Sequence, residues 1–136
     1  MPEKSTTPDL AGLTRHIIEA ANRRDFDAAL ELYAPNAYWR GTVDDAAGVP
    51  AIRDLWASYY GAFEELQVIV DDVAHLGNGV VLVASRHVGR LVGGARLSEE
   101  RAFVYQFIDS RVVKASDYVS LDDARTAAER LAEDRE

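Results

Sequence analysis

The chain contains no cysteine. That removes disulfides, thiolate metal sites, cysteine nucleophiles and iron–sulfur clusters together. Histidine is scarce: His16, His75 and His87 are scattered, with no two at metal-ligand spacing. No metal and no cofactor are expected. Long apolar runs are missing and Met1–Pro8 is polar, so neither a signal peptide nor a membrane span is expected. Positive charge is also short, with 15 Lys and Arg against 23 Asp and Glu and a formal net charge of −8. Such a surface repels phosphate backbones and anionic lipid heads. Nucleic acid and membrane are therefore not expected as partners, and the expected location is cytoplasmic.

Phosphate-binding and nucleophile signatures are lacking too. Gly77-Asn78-Gly79 has no third glycine and leads into a strand pattern, so it reads as a turn. Gly93-Gly94 is not followed by a Lys-Ser or Lys-Thr pair, and no Gly-x-Ser-x-Gly turn occurs.

What is present is ordinary globular material: 136 residues, 48% hydrophobic and 28% charged. The length implies one domain with a real core. Residues 1–8 read as a flexible tail and residues 9–136 as the domain. Asp9 reads as a helix cap, followed by Leu10, Leu13, Ile17 and Ala21 at helical spacing. Asp25 caps a short second helix carrying Phe26, Ala29, Leu30 and Tyr33, which Pro35 ends. Ala37–Gly41 alternates as a strand, and Thr42–Val49 reads as a loop. Pro50 opens a third helix with Ile52, Leu55, Trp56, Tyr59 and Phe63 on one stripe.

From Leu66 the period changes to two. Strands are expected over Leu66–Leu76, Val80–Leu91, Arg96–Asp109 and Val112–Val119, joined by turns at Gly77–Gly79, Val92–Ala95 and Ser110-Arg111. A last helix opens at Asp122-Asp123. Antiparallel strands with segregated helices define an α+β class.

The side chains able to carry chemistry are aromatic and ionic. Trp39, Trp56, Tyr59, Tyr60, Phe103, Tyr105 and Phe107 are large, and core packing is the plain reading of each. Arg86, Arg101 and Asp117 interrupt apolar strands. A charge there either faces water or lines a cavity, where it needs a partner.

Several stretches together resemble the NTF2-like superfamily, in its SnoaL-like and ketosteroid-isomerase-like branch. They are Ile17–Gly41, Gly48–Trp56, Phe103–Phe107 with Val112-Val113, and Tyr118–Ala124. The resemblance implies a cone-shaped fold: a curved antiparallel sheet with helices packed on its concave side around a cavity. It leaves function open, because the fold hosts enzymes and binders alike. At the positions that the resemblance assigns to the isomerase base and oxyanion pair stand Gly41, Ile17 and Phe103, so steroid isomerisation is not expected.

The resemblance also implies a strand phase. Trp39, Arg101, Phe103, Tyr105 and Phe107 would face the cavity, with Leu82, Ala84, Arg86 and Val88 on one neighbouring strand and Ala115, Asp117 and Val119 on the other. Trp56 and Tyr60 would close it. Asp117 and Arg86 are then the candidate catalytic residues. Trp39, Trp56, Tyr60, Arg101, Phe103 and Tyr105 are the candidate ligand contacts. The expected function is a small-molecule pocket protein. It would be either an acid–base enzyme on a small organic or polyketide-like substrate, of cyclase, isomerase, dehydratase or hydrolase type, or a non-catalytic binder or dimeric scaffold. Val81, Val83, Val104 and Ile108 would face outward, and a homodimer through that convex face is expected.

Overall fold

The computed structural model describes residues 9–134. Helix α1 spans Leu10–Asn22, and the Asp9 carboxylate accepts from the Gly12 amide as its N-cap. Helix α2 is the short Phe26–Leu30 turn, capped by Asp25 through the Ala28 amide. Strand β1 covers Tyr33–Arg40, strand β2 is Ala46–Ala47, and helix α3 runs Val49–Gly61 with Pro50 in its first turn. Strands β3 (Phe63–Gly77), β4 (Val80–Leu91), β5 (Arg96–Ile108) and β6 (Arg111–Tyr118) follow, and helix α4 (Leu121–Asp134) closes the described chain.

Tyr33 belongs to β1 rather than to the second helix. The Val112 amide donates to Leu32 O, Tyr33 lies opposite Val112, and its ring meets Trp56 edge-on at 5.6 Å. Tertiary pairing overrides the local helical pattern. Pro35 falls in the irregular stretch between the Tyr33 and Tyr38 pairings, where its missing N–H costs the ladder nothing.

The six strands form one curved, open sheet in the order β2-β1-β6-β5-β4-β3. Every neighbouring pair is antiparallel except β1 and β6, which are parallel, so the sheet is mixed. With its helices it makes the expected α+β cone. One face carries α1, α2 and α3 around a core of Ile17, Phe26, Ile52, Trp56, Val83 and Phe103. Asn22 fastens α1 to the edge strand: its amide donates to Val68 O at 3.0 Å, and its carbonyl accepts from Val68 N at 2.8 Å.

The fourth helix departs from the expectation of helices on one side. It packs on the far face, where Ala124, Ala128 and Ala132 lie against Val80, Leu82, Ala102 and Val104. The outward apolar set expected to form a dimer face is consequently not available there. Val81 and Val83 point into the main core, Val104 lies fully buried in the α4 cluster, and Ile108 alone of the four is exposed.

The same strands show why β4 is turned over relative to expectation. The Leu91 amide donates to Ala95 O, and Arg90 pairs with Arg96, so the hairpin closes around three residues, Val92-Gly93-Gly94. A four-residue turn would pair Leu91 with Arg96. The one-residue difference flips every side chain of β4. Val83 therefore stands opposite Phe103, and Ser85 opposite Arg101. Leu82 and Arg86 turn away from the pocket face. Strands β5 and β6 keep the expected phase, with Phe103 opposite Asp117 and Tyr105 opposite Ala115.

Candidate functional site

Between α1, α3 and the sheet lies a pocket of about 300 Å³. Its walls are mainly apolar, with a cluster of aromatic rings. Trp39 and Trp56 meet edge to face at 5.6 Å, and Trp39 leans on Phe103 at 6.2 Å. Tyr60 and Tyr105 complete the wall, and Ile17 contributes from α1. These positions follow from two periods: Trp56 and Tyr60 are one helical turn apart on α3, while Arg101, Phe103 and Tyr105 alternate along β5.

The exposed lining residues are Thr42, Val43 and Asp44 in the loop after β1, and Ser58 and Tyr59 in the last turn of α3. Gly41 lets that loop turn tightly, since a Cβ there would sit 2.2 Å from Asp44 O. Asp45 holds the turn by accepting from the Gly41 amide at 3.1 Å and from the Tyr38 hydroxyl at 2.8 Å.

Two polar groupings interrupt the aromatic wall. In the first, Arg101 Nη2 donates to Asp117 Oδ2, and the two side chains are only 11% and 12% exposed. The same guanidinium donates to Thr42 Oγ1 at 3.1 Å and lies 3.6 Å from Glu99. Asp117 Oδ1 and Arg101 Nε are buried without a hydrogen-bond partner among the described residues. Burial pushes the Asp117 carboxyl above the usual carboxylate range, against the opposing pull of the Arg101 charge and hydrogen bond and of the Thr42 hydroxyl.

In the second, Tyr59 Oη lies 3.1 Å from His87 Nδ1, and His87 stacks on Phe103 at 5.8 Å. His87 Nε2 is buried and has no partner among the described residues. Burial first, and then the Arg101 charge, push the imidazole down to about 4, so it is neutral at pH 7. Burial raises Tyr59 and takes Tyr60 up to about 12, so both hydroxyls keep their protons.

Of the residues singled out in the sequence, Trp39, Trp56, Tyr60, Arg101, Phe103, Tyr105 and Asp117 all border the pocket. Arg86 does not. It is exposed on the other face, where it holds Asp71 at 3.2 Å, so the catalytic assignment of Arg86 is corrected. Gly41, Ile17 and Phe103 border the pocket too, and none of them can titrate.

His87, Tyr59, Thr42, Asp44 and Ser58 are polar lining residues that the sequence did not assign to the site. Tyr59 had a signal, since it lies three residues after Trp56 on the same helical stripe. His87 had one only in the hairpin length, which sets the phase of β4.

Comparison with known proteins agrees with this architecture. A family profile described as a SnoaL-like domain matches residues 14–115. No curated protein matches the chain. Among solved structures, an NTF2-like protein of unknown function from Burkholderia pseudomallei K96243 superposes with a TM-score of 0.75 at 17% identity, covering 90% of this chain and 98% of that one. Bal32a, from a soil-derived mobile gene cassette, gives 0.75 at 24% identity over 89% and 96%. A protein with a ketosteroid isomerase-like fold from Catenulispora acidiphila DSM 44928, solved with trimethylamine, gives 0.73 at 17% identity over 90% and 94%. At these identities the likeness speaks to fold alone.

Proposed function

The chain belongs to the SnoaL-like domain family, and on that premise we propose that it performs acid–base chemistry on a compact organic substrate held in the aromatic pocket. The observation that carries this reading is the Arg101–Asp117 ion pair, set nearly dry in the wall of the aromatic pocket. A carboxyl raised by burial above the usual carboxylate range, with an arginine beside it, is suited to take and return a proton. Asp117 is the proposed base and acid. Arg101 would balance the negative charge that grows on a substrate oxygen as the proton leaves. Trp39, Trp56, Tyr60, Phe103 and Tyr105 would hold the apolar body by ring contacts. The reaction class is removal of a proton beside a carbonyl and its return elsewhere, which serves cyclases, isomerases and dehydratases alike.

The test is proton exchange on a generic ketone. Wild-type protein in D2O should speed the loss of the α-proton NMR signal of α-tetralone above the buffer rate. Asp117→Asn should lower the catalysed rate by about 10²–10⁴-fold, the usual worth of a positioned general base. Equal rates with both proteins, or no acceleration by wild type, would remove the assignment.

The same ion pair favours a second reading, binding without turnover. A carboxylate spent on neutralising an arginine is a weaker base, while the remaining guanidinium hydrogens stay able to hold an acceptor oxygen. Under that reading α-tetralone binds and its protons exchange at the buffer rate.

A further inference from the structure

Tyr59 and His87 contribute one feature that the acid–base reading leaves unused. Between them they carry two polar hydrogens, one on the phenol and one on the neutral imidazole. One hydrogen is spent in the 3.1 Å contact, whichever group donates. The other stays free, at Nε2 if the phenol donates to Nδ1, or at the phenol oxygen if the ring donates. The pair therefore offers a hydrogen in either tautomer and asks for an acceptor oxygen. Asp117 Oδ1 is the complement, a buried acceptor with no hydrogen bond of normal geometry among the described residues; the Thr42 hydroxyl acts on this carboxylate, and a ligand hydroxyl would take that place.

Both groupings border one pocket. They are close enough that the Arg101 and Asp117 charges act on Tyr59, and the Arg101 charge acts on His87. The pocket they share carries aromatic rings in its wall and, at about 300 Å³, lies at the small end of ligand pockets. We infer that the pocket selects a one- or two-ring hydroxyketone, its hydroxyl on Asp117 and its carbonyl oxygen on the Tyr59–His87 pair. Tyr59 and His87 are thus specificity residues. The inference rests on the proposal that the pocket holds the substrate, and it does not need turnover.

Calorimetric titration with isosteric two-ring compounds tests it. Hydroxy-α-tetralone carries both oxygens, α-tetralone the carbonyl alone, and tetrahydro-β-naphthol the hydroxyl alone. Wild type should bind hydroxy-α-tetralone tightest. Tyr59→Phe, at a side chain already partly exposed, should weaken hydroxy-α-tetralone and α-tetralone by about 3- to 10-fold, the worth of a neutral hydrogen bond. It should leave tetrahydro-β-naphthol unchanged. His87→Phe should repeat the pattern. Estrone, a four-ring hydroxyketone, should not bind.

Equal weakening of all three compounds by Tyr59→Phe, or of none, overturns the carbonyl-reading role. Estrone binding as tightly as hydroxy-α-tetralone overturns the size limit. Discrimination by Tyr59 without proton exchange on α-tetralone supports this inference and removes only the catalytic reading. Failure of every compound to bind wild type overturns both.

Discussion

Only 12% of the Asp117 side chain and 11% of the Arg101 side chain meet solvent. Charges so placed have given up most of their hydration, and each depends on the other to offset that loss. Removing one partner leaves the other buried and alone, while removing both leaves an apolar site. Asp117→Ala should therefore lower the unfolding free energy by roughly 3–5 kcal/mol. The double replacement Asp117→Leu with Arg101→Met should recover most of that loss, because it adds packing and leaves no orphaned charge. Urea melts of the two variants beside wild type decide it. Equal destabilisation of single and double variants would mean that shape, not charge, matters at these positions. At the same scale Thr42 and Glu99 supply further oxygens to the guanidinium, so Arg101 is not left bare if Asp117 transfers its charge to a substrate.

Strand β4 shows which parts of the fold and site could be read from the sequence. Val80-Val81-Leu82-Val83-Ala84 is apolar without alternation, because one face meets the main core and the other meets α4. A strand covered on both sides carries no phase in its pattern. Its phase then rests on the hairpin, and the difference between three and four loop residues places either His87 or Arg86 in the pocket. Strand β5 is also apolar on both faces over Ala102–Tyr105, and its phase comes from the resemblance, which sets Phe103 and with it Arg101 and Asp117 on the face where the structure has them. The caps at Asp9 and Asp25 were legible for a local reason, since capping needs only a carboxylate and a nearby amide. The side of the sheet taken by α4 was not, because alanines at helical spacing suit either face. Its placement bears on Val104, which is fully buried in the α4 cluster. Val104→Glu should bury an unpaired carboxylate and destabilise the fold by about 3 kcal/mol or more, rather than part a dimer. Thermal melts by circular dichroism should show a lowered midpoint. A folded variant with wild-type stability and half the wild-type mass by light scattering would contradict that placement.

At the scale of the whole molecule, acid acts on stability through opposed groups. The net charge of −8 shrinks as pH falls, which relieves repulsion across the surface. Asp117 works in the same direction. Its folded pKa is raised above 3.8, so its contribution is full below that value and lost as pH rises through the folded pKa. His87 works the other way. Its folded pKa is depressed from 6.5 to about 4, so the unfolded chain takes up that proton first as pH falls. The stability due to neutral His87 is thus present above pH 6.5 and drains away between there and about pH 4. A shift of that size is worth at most about 3 kcal/mol, and less where the acidified pocket admits water. His87→Gln removes the titrating ring while keeping a polar side chain, and it leaves the surface and Asp117 contributions common to both proteins. The difference in unfolding free energy between wild type and His87→Gln, from urea melts at successive pH values, should stay level above pH 7. It should move against the wild type as pH falls toward 4. A difference that does not change with pH would show that His87 titrates alike in the folded and unfolded chain, and so is not held neutral by burial beside Arg101.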